Sequence, residues 1–461
     1  LLRRIRARER IPLFLGAHDG RGELAIEATL ERPGRLFSVE RGTERFLHDL
    51  EVAAVDAEEG STASPRALAW QEGRREGRSF AAPPCAAGRC QIRYRYALRE
   101  AARKIDDLDV ASEEGEVIEA PPSTWILAPD EADTSARVRF RVSTAEPTVF
   151  RTGVFRSREA PDAWDIALGD LWTSPYSLFG PVRTRSLDVG GAELAIAIAP
   201  GKLTISDEAL AAWTRDAARA ITTYFGRFPL PEALVIFVPG RGRWIGEGKA
   251  LSGGGGAVFV RIGEAAPVDA LRDDWVLVHE MTHLAFPSVA REHHWAEEGL
   301  ATYVEPFARA RAGLLSTEDA WLGLISGLPN GLPAAGDRGL DRTPTWGRTY
   351  WGGALFYLLA DVEIRKRTNG ARGLEHALRG ILAEGGSNAQ RWALGDAFAA
   401  GDRATGVPVL RELHDAMGTS PHPVDLDTLW RQLGVVRERG TVRFDDSAPL
   451  AAVRRAITGR D

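Results

Sequence analysis

Sulfur-containing residues are scarce in this chain of 461 residues, which has only two cysteines and two methionines. The cysteines, Cys85 and Cys90, are separated by four residues that include a glycine, a spacing that suits a turn closed by a disulfide. A metal site built on them is disfavoured because no second cysteine pair exists to complete it. We therefore expect a disulfide and an oxidising compartment, with two unpaired thiols as the alternative.

Long apolar runs and clusters of basic residues are also missing from the sequence. No apolar stretch approaches the ~18–20 residues that cross a membrane, so we expect no transmembrane segment. The formal net charge is −6, and no basic run interleaves with aromatic residues, which argues against nucleic acid as a partner. The chain begins at Leu1 rather than methionine, from which we expect a processed or truncated chain that has lost a signal peptide. With the cysteine pair, this predicts an extracytoplasmic protein, either periplasmic or secreted.

The length and composition that remain are those of a globular protein with more than one domain. Hydrophobic residues make up 44% and charged residues 26% of the chain, which is ordinary for a soluble protein. A chain of this length is too long for one core and predicts two to four domains.

The first part of the chain has the pattern of β-strands. Residues 22–30, 91–98 and 137–142 alternate apolar and polar side chains with a period of two, which is typical of antiparallel sheet with one solvated face. Turn-rich spacers at residues 58–64 and 81–88 separate these segments. The sequence therefore predicts a sandwich-like, antiparallel β domain over residues 1–150.

The stretch from Trp275 to Pro306 contains the residues whose pattern points to a catalytic site. Within it His279, Glu280 and His283 spell H-E-x-x-H in an apolar segment that has no Pro or Gly, which predicts a buried helix. Residues four apart on a helix lie on one face, roughly 5–6 Å apart at Cβ, so both imidazoles can reach one ion. The pattern predicts a zinc site with a built-in general base. The alternative is a buried helix with two hydrogen-bonded histidines.

A third metal ligand is available further along the chain. A catalytic zinc takes three protein ligands and keeps one open position. Glu298, which is separated from His283 by fourteen residues, supplies a third ligand. The metzincin pattern would need a histidine where Val289 stands. His293 and His294 lie nearby, but a loop histidine is more often solvated, and we leave them out of the predicted site.

These residues resemble a known clan of enzymes. H-E-x-x-H followed by W-x-x-E-G-L-A-T-Y, which starts at Trp295, resembles the gluzincin metallopeptidases, the thermolysin-like clan MA, and is most similar to its peptidase MA-like and glycyl aminopeptidase-like families. The resemblance implies that His279, His283 and Glu298 bind one Zn²⁺ per chain. It also implies that Glu280 activates the zinc-bound water that attacks the peptide bond.

The resemblance extends to the fold. It implies a thermolysin-like catalytic domain at residues 151–325, within which Ser206 and Gly226 are typical of the start and end of one long helix. Helical patterns at residues 317–324, 349–367, 374–384, 409–417 and 426–433 predict a mostly helical C-terminal part, residues 326–461, that completes the cleft. The expected class is a multidomain α+β protein.

A tyrosine is expected to complete the active site. The run R-T-Y-W-G-G resembles the Tyr-x-x-Gly helix start of the aminopeptidase families, which implies that Tyr350 stabilises the oxyanion of the transition state. A proton donor aimed at that charge lowers the barrier, and Gly352 and Gly353 leave room for close packing. The alternative is an aromatic packing residue at a helix start. Tyr303 and Tyr357 have helical spacing among apolar residues, which predicts core packing.

A run of glycines precedes the strand that leads to the H-E-x-x-H motif. In the resembling peptidases the strand before the zinc helix is an edge that pairs with the substrate backbone. We expect residues 254–259 to bind a peptide in this way. This segment begins with Gly254, Gly255, Gly256 and Ala257. A flexible surface hairpin is the alternative reading.

One departure from the resembling family bears on specificity. Its aminopeptidases carry G-x-M-E-N upstream of the zinc helix, where the glutamate holds the free amine of the substrate. The corresponding region here is S-G-G-G-G-A-V-F, which has no acid, although Glu247 and Glu264 flank it. We expect a zinc metallopeptidase whose partner is a peptide or protein substrate. The alternatives are an aminopeptidase with a non-standard amine-binding site and a non-catalytic peptide-binding protein that retains the fold.

Overall fold

The computed structural model of the chain describes residues 13–31, 34–55, 68–83, 89–131 and 133–459. Cys90 is disulfide-bonded, whereas Cys85 and the predicted spacer at residues 58–64 lie outside the described residues. None of the described helices is long and apolar enough to cross a membrane.

The N-terminal part is built from β-strands, as predicted. The alternating segments bury one side of each strand, so that Leu24, Ile26 and Ala28 are buried while Ala25 and Glu27 face solvent. The strands are β1 (Leu13–His18), β2 (Leu24–Glu31), β3 (Leu36–Ser38), β4 (Leu47–Ala54), β5 (Gln71–Glu72), β6 (Arg74–Glu76), β7 (Ser79–Ala81), β8 (Arg89–Tyr96), β9 (Ser112–Glu114), β10 (Val117–Glu119), β11 (Ala128–Pro129), β12 (Arg137–Thr144), β13 (Val149–Thr152), β14 (Trp164–Ala167) and β15 (Ser177–Gly180). Short helices α1 (Leu98–Ile105), α2 (Pro122–Trp125) and α3 (Leu168–Leu171) connect them.

These strands form three sheets with a common apolar core. A seven-stranded sheet has the order β14-β12-β1-β2-β8-β4-β5, and two four-stranded sheets have the orders β13-β15-β10-β9 and β11-β3-β7-β6. Pairing is antiparallel except between β1 and β12, which run parallel. Trp125 packs edge-on against Phe140 and Phe179 in the core between the sheets.

A five-stranded mixed sheet lies between the N-terminal strands and the helices. It has the order β16-β17-β18-β20-β19 and consists of β16 (Arg183–Val189), β17 (Ala192–Ile198), β18 (Glu232–Gly240), β19 (Ile245–Ser252) and β20 (Gly256–Gly263). Along β18, Val235 and Phe237 face the helices, whereas Leu234, Ile236 and Val238 pack towards the sheet of β15 and β10. Burial on both faces explains why this strand is a continuous apolar run.

The helix that crosses over from β17 to β18 has the predicted ends. It is α4 (Asp207–Phe225), and Ser206 Oγ accepts a hydrogen bond from the Ala209 amide at 3.2 Å. Gly226 ends the helix with φ of 79°, a left-handed conformation that favours glycine.

The open edge of this sheet is not the predicted one. Strand β20 pairs with β18 on one side and with β19 on the other, so its residues 256–259 are not at an open edge. The backbone of Gly255 bridges to Val154, and Gly254 bonds to Ala389 and Phe155. The prediction that Gly254–Ala257 form the substrate edge is wrong, because β19 pairs with Gly256 and Ala257, and other segments bond to the backbone of Gly254 and Gly255.

The remainder of the chain is mostly helical, as predicted. It comprises α5 (Ala270–Asp273), α6 (Val276–His283), α7 (His294–Arg311), α8 (Thr317–Gly327), a π-helix (Gly347–Gly352), α9 (Gly353–Arg367), α10 (Leu374–Ala383), α11 (Leu394–Thr405), α12 (Val409–Met417), α13 (Leu426–Leu433), the hairpin of β21 (Val435–Glu438) and β22 (Thr441–Phe444), and α14 (Ala451–Ile457). Short 3₁₀ turns lie at Glu44–Phe46, Arg291–His293, Leu328–Gly331 and Leu340–Arg342. One apolar cluster joins these helices to one face of the mixed sheet.

Candidate active site

Helix α6 presents the H-E-x-x-H motif to a cleft beside β19. Asp274 Oδ1 accepts a hydrogen bond from the Val276 amide at 2.8 Å and thereby satisfies one free N–H at the start of the helix. One turn further on, His279 and Glu280 are buried, with 5% and 8% of their surface exposed. The predicted helix is therefore formed, and its polar side chains lie at the boundary between core and cleft.

Helix α7 brings the predicted third ligand to the two histidines. Glu298 Oε2 lies 3.3 Å from His279 Nε2 and 3.7 Å from His283 Nε2. The donor atoms of the three residues all lie within 4.8 Å of one another. The structure thus gathers the three side chains that the sequence singled out.

The donor set fits a zinc ion in chemistry and in spacing. Two imidazole nitrogens and one carboxylate oxygen are the ligands of catalytic zinc in the thermolysin class. Tetrahedral zinc with bonds of about 2.0–2.2 Å places neighbouring donors about 3.3–3.5 Å apart. The two distances, 3.3 and 3.7 Å, bracket that spacing.

The protonation states of two of the three residues already suit metal binding. Burial would raise the pKa of Glu298, but its hydrogen bond to His279 and the charges of the neighbouring histidines lower it to about 2, so the carboxylate is ionised. Burial lowers the pKa of His283 to about 4, which leaves a neutral ring. For His279 burial acts in the same direction, yet Glu298 and the charge of Glu280 raise its pKa overall. A metal at this position would compete with that proton.

Glu280 lies where the cleft meets the edge strand. A Cβ atom on Gly248 of β19 would fall 2.5 Å from Glu280 Cγ and 2.5 Å from Val276 Cγ1, so only glycine allows β19 to approach α6 this closely. Burial raises the pKa of Glu280 to about 7. A carboxylate with a pKa near neutrality is suited to accept and return a proton.

Tyr350 lies across the cleft from the motif helix, on the π-helix that precedes α9. Its ring stacks with the ring of His279 at 6.5 Å and 21°. Burial raises the pKa of Tyr350 to about 12, with a further contribution from the negative charge of Glu298. The phenol is therefore protonated near neutral pH and can donate a hydrogen bond. π-Helical turns are frequent at functional sites.

These groups surround a cavity of about 760 Å³. Its lining includes the predicted metal ligands, Glu280, Tyr350 and the length of β19, but the described lining contains none of Gly254–Ala257. Of the two acids considered as amine ligands, Glu247 lines the cavity. Glu264 is not among the residues that line it.

A second histidine cluster, which the sequence did not reveal, attaches a loop to the start of α7. Asp341 Oδ1 accepts hydrogen bonds from His293 Nδ1 at 2.9 Å and Trp295 Nε1 at 2.8 Å. Its Oδ2 lies 3.0 Å from His414 Nε2. These contacts fix the 3₁₀ turn of Asp341 beside the helix that carries Glu298. The three partners are 48, 46 and 73 residues away from Asp341 in the chain, so no local pattern links them.

The predicted core tyrosines are confirmed as packing residues. Tyr303 donates to Asp361 Oδ2 at 2.9 Å, and Tyr357 donates to the Ala296 carbonyl at 2.9 Å. Both rings are fully buried. Asp361 is in turn paired with Arg365 at 2.9 Å, and this buried network joins α7 to α9.

Comparison with known proteins identifies the fold. No protein-family profile and no curated protein matches the sequence. An aminopeptidase N family protein from Idiomarina loihiensis has a TM-score of 0.65 at 13% identity, covering 92% of this chain and 79% of that one. An M1 zinc metallopeptidase from Deinococcus radiodurans has a TM-score of 0.52 at 14% identity, covering 90% of this chain and 95% of that one. A mutant of that enzyme bound to a Tyr-Ser-Ala substrate scores 0.54 at 14% identity, covering 90% and 94%.

The fold is therefore the multidomain fold of the M1 zinc metallopeptidases, members of the gluzincin clan. This confirms the predicted fold class and the resemblance to that clan. At 13–14% identity the comparison establishes the fold, and the chemistry has to be argued from the residues of this chain.

Proposed function

We propose that the protein is a zinc-dependent metallopeptidase that hydrolyses peptide bonds. The observation that carries the proposal is the convergence of His279, His283 and Glu298 beside Glu280 in a cleft bordered by the edge strand β19. The fold shared with M1 zinc metallopeptidases supports the same conclusion.

Each residue has a defined part in this proposal. His279, His283 and Glu298 would hold Zn²⁺, which when bound supplies a Lewis acid that polarises the scissile carbonyl and makes water more acidic. Glu280 accepts the proton of the attacking water and passes it to the leaving amine, for which a pKa of about 7 is suitable. Tyr350 donates a hydrogen bond to the oxygen on which negative charge develops.

We place the substrate backbone along β19. Among the described strands β19 pairs with β20 alone, and its residues line the cavity along its whole length. An extended peptide can add to such an edge through main-chain hydrogen bonds, with its side chains pointing alternately to the two sides. Gly248 of β19 lies close to Glu280, so a peptide paired to this strand would have its backbone beside the proposed general base.

An aminopeptidase is the second candidate, because one acid does line the cleft. Glu247 is exposed on β19, where its carboxylate can meet the free amine of a peptide paired to that strand. Glu247→Gln should then raise KM for peptides with a free N-terminus by roughly tenfold or more, as expected for an ion pair that anchors a charged group. N-terminally acetylated peptides would be unaffected.

The main proposal is tested by digesting a mixed peptide library and identifying the products by mass spectrometry. The Glu280→Gln variant is the blank, and the zinc content of both proteins is measured. Cleavage that disappears in Glu280→Gln while zinc is retained supports a peptidase, and single-residue trimming would select the aminopeptidase. Glu292→Gln, which changes an exposed carboxylate between α6 and α7, is the matched control. Zinc binding without any cleavage above the blank would favour a non-catalytic peptide-binding protein.

Domain organisation and location are further proposals. We propose a β part, a catalytic part and a helical part at about residues 1–150, 151–325 and 326–461. Because β14 and β15 pair with N-terminal strands, we move the first of these boundaries to Gly180, so that the catalytic part begins at residue 181. The disulfide at Cys90 supports an extracytoplasmic location.

A further inference from the structure

Tryptophan is exposed around the cleft to an unusual degree. Seven large hydrophobic side chains are prominently exposed among the described residues, and four of them are tryptophans. Two of these four, Trp244 at 48% and Trp275 at 51% exposed, line the cavity. Apolar surface of this size in water is unfavourable, and exposed apolar patches commonly mark binding sites.

The two tryptophans lie at the same end of the cleft. Trp244 immediately precedes β19 and Trp275 immediately precedes α6, and the two elements meet where Gly248 abuts Val276. The rings of Trp275 and His279 are nearly perpendicular, at 83°, with their centroids 5.2 Å apart. Trp244 and Trp275 are called the aromatic end here.

The other end of the cleft has a different character. Ser252, at the far end of β19, lines it together with Ser288 and Asn388. A chain of about eight residues in β conformation, as in β19, extends about 26 Å, so the two ends contact different residues of an extended ligand. The cleft thus has two tryptophans, with the carboxylates of Glu247 and Asp274 beside them, on one side of the metal ligands, and the uncharged polar side chains of Ser252, Ser288 and Asn388 on the other.

The backbone holds Trp244 in place before any ligand binds. A Cβ atom on Gly246 would lie 2.1 Å from Trp244 Cζ3, and one on Gly242 would lie 2.6 Å from Trp244 Nε1. The indole therefore packs against the Cα atoms of both glycines, while about half of the Trp244 side chain stays exposed. An aromatic ring that is already ordered loses little entropy when a ligand stacks on it.

We infer that the aromatic end binds a bulky apolar side chain of the substrate, above all an aromatic one, within one or two residues of the scissile bond. The inference rests on the proposed peptidase function. The distance follows from the 5.2 Å between Trp275 and the ligand His279, compared with a rise of about 3.3 Å per residue of an extended peptide. Stacking and edge-to-face contacts favour Phe, Tyr and Trp over aliphatic residues at this position.

The test uses pairs of quenched fluorogenic peptides that differ only in having Phe or Ala at one position. That position is varied over the two residues on each side of the scissile bond, which gives four pairs. Zinc-loaded wild type should cleave the Phe peptide with a kcat/KM about 10–100-fold higher at one position on one side only. Trp244→Ala should reduce that Phe-to-Ala ratio at least fivefold. Gly246→Ala should do the same, because it displaces the indole without removing it. Trp172→Ala, which removes a 45% exposed tryptophan outside the cavity lining, should leave the ratio unchanged.

Two results would overturn the inference and leave the proposed peptidase function standing. One is equal kcat/KM for the Phe and Ala peptides at all four positions. The other is an unchanged Phe-to-Ala ratio in both Trp244→Ala and Gly246→Ala. If wild type cleaves nothing above the Glu280→Gln blank, the proposed function fails, and equilibrium binding then decides the inference. In that measurement the zinc-loaded protein should bind the Phe peptide at least fivefold more tightly than the Ala peptide, as followed by tryptophan fluorescence. Equal affinities would overturn it.

Discussion

Gly299 and Gly353 lie in direct backbone contact where α7 crosses the start of α9. A Cβ atom on Gly299 would come 2.3 Å from the Cα atom of Gly353, which no real side chain tolerates. Glu298 precedes the first glycine, and Tyr350 lies three residues before the second. The contact therefore sets the distance between the third predicted zinc ligand and the predicted oxyanion donor.

We expect Gly299→Ala to push these helices apart. The overpacking should destabilise the fold by about 1–3 kcal/mol and weaken zinc binding, because Glu298 moves away from the histidines. Thermal unfolding and zinc titration measure the two effects. Gly323→Ala on α8 is the matched control, since nothing lies within 4 Å of its Cβ position. This helix-interior change should stabilise the protein slightly. Zinc affinity equal to wild type in Gly299→Ala would contradict the positioning role.

The two tyrosines of the π-helix and α9 should respond differently to loss of the hydroxyl. Tyr350→Phe should lower kcat by roughly 10²-fold with zinc content unchanged, because it removes a donor to the transition state. Tyr357→Phe loses only a buried hydrogen bond to the Ala296 carbonyl, so we expect a loss of about 1 kcal/mol in stability and no change in kcat. Steady-state kinetics and urea unfolding of both variants distinguish the roles. An unchanged kcat in Tyr350→Phe would refute the assignment.

Removal of metal should lower thermal stability as well as activity. Binding of zinc at about 1,000 times its Kd stabilises the native state by about 4 kcal/mol, because the unfolded chain does not gather the three donors. Dialysis against a chelator should therefore lower Tm, and added zinc should restore it. His283→Ala should abolish this zinc-dependent shift. A shift that persists in His283→Ala would show that the stabilising ion binds elsewhere.

Acid sensitivity should depend on a cross-strand ion pair in the N-terminal part. Arg139 on β12 donates to Asp165 on β14 at 2.7 and 2.9 Å. Burial acts to raise the pKa of Asp165, but the hydrogen bonds from Arg139 and Ser157 outweigh it and hold this pKa below its usual value. A carboxyl group with a lowered folded pKa stabilises the fold above its unfolded pKa of ~3.9. That stability is lost as pH falls from there through the folded pKa.

The corresponding prediction concerns Asp165→Asn. It should cost about 2 kcal/mol of unfolding free energy at pH 7, and this difference from wild type should shrink as pH falls below ~3.9. Urea unfolding across this pH range provides the measurement. Asp162→Asn, which alters an exposed partner of Arg141, should cost less than about 1 kcal/mol. A difference for Asp165→Asn that is the same at all pH values would contradict the linkage.

Elements with a strong local pattern could be predicted from the sequence. The helices at residues 409–417 and 426–433 have the predicted bounds, because their apolar positions recur with the helical period. The predicted ligands come together for a similar reason. His279 and His283 share one face of a short helix, and a recognisable W-x-x-E-G pattern surrounds Glu298.

Features that depend on pairing between distant segments could not be predicted in the same way. The edge strand β19 reads I-G-E-G-K-A-L-S, which has neither alternation nor a continuous apolar run. One signal was present, however, because A-V-F-V at residues 257–260 is apolar on both faces, as in an interior strand. The Asp341 cluster, whose partners are far away in the chain, has no local signature.

The exposed edge of β19 has a consequence for which proteins could serve as substrates. A peptide that adds to this strand must offer an extended stretch of backbone whose hydrogen-bonding groups are free. Helices and interior strands of a folded protein use those groups internally and cannot offer them. Under the proposed function the cleft therefore selects substrates first by whether a segment of their backbone is unfolded, and only then by their side chains. Unfolded segments, loose termini and short peptides would be cut, and intact domains would be spared.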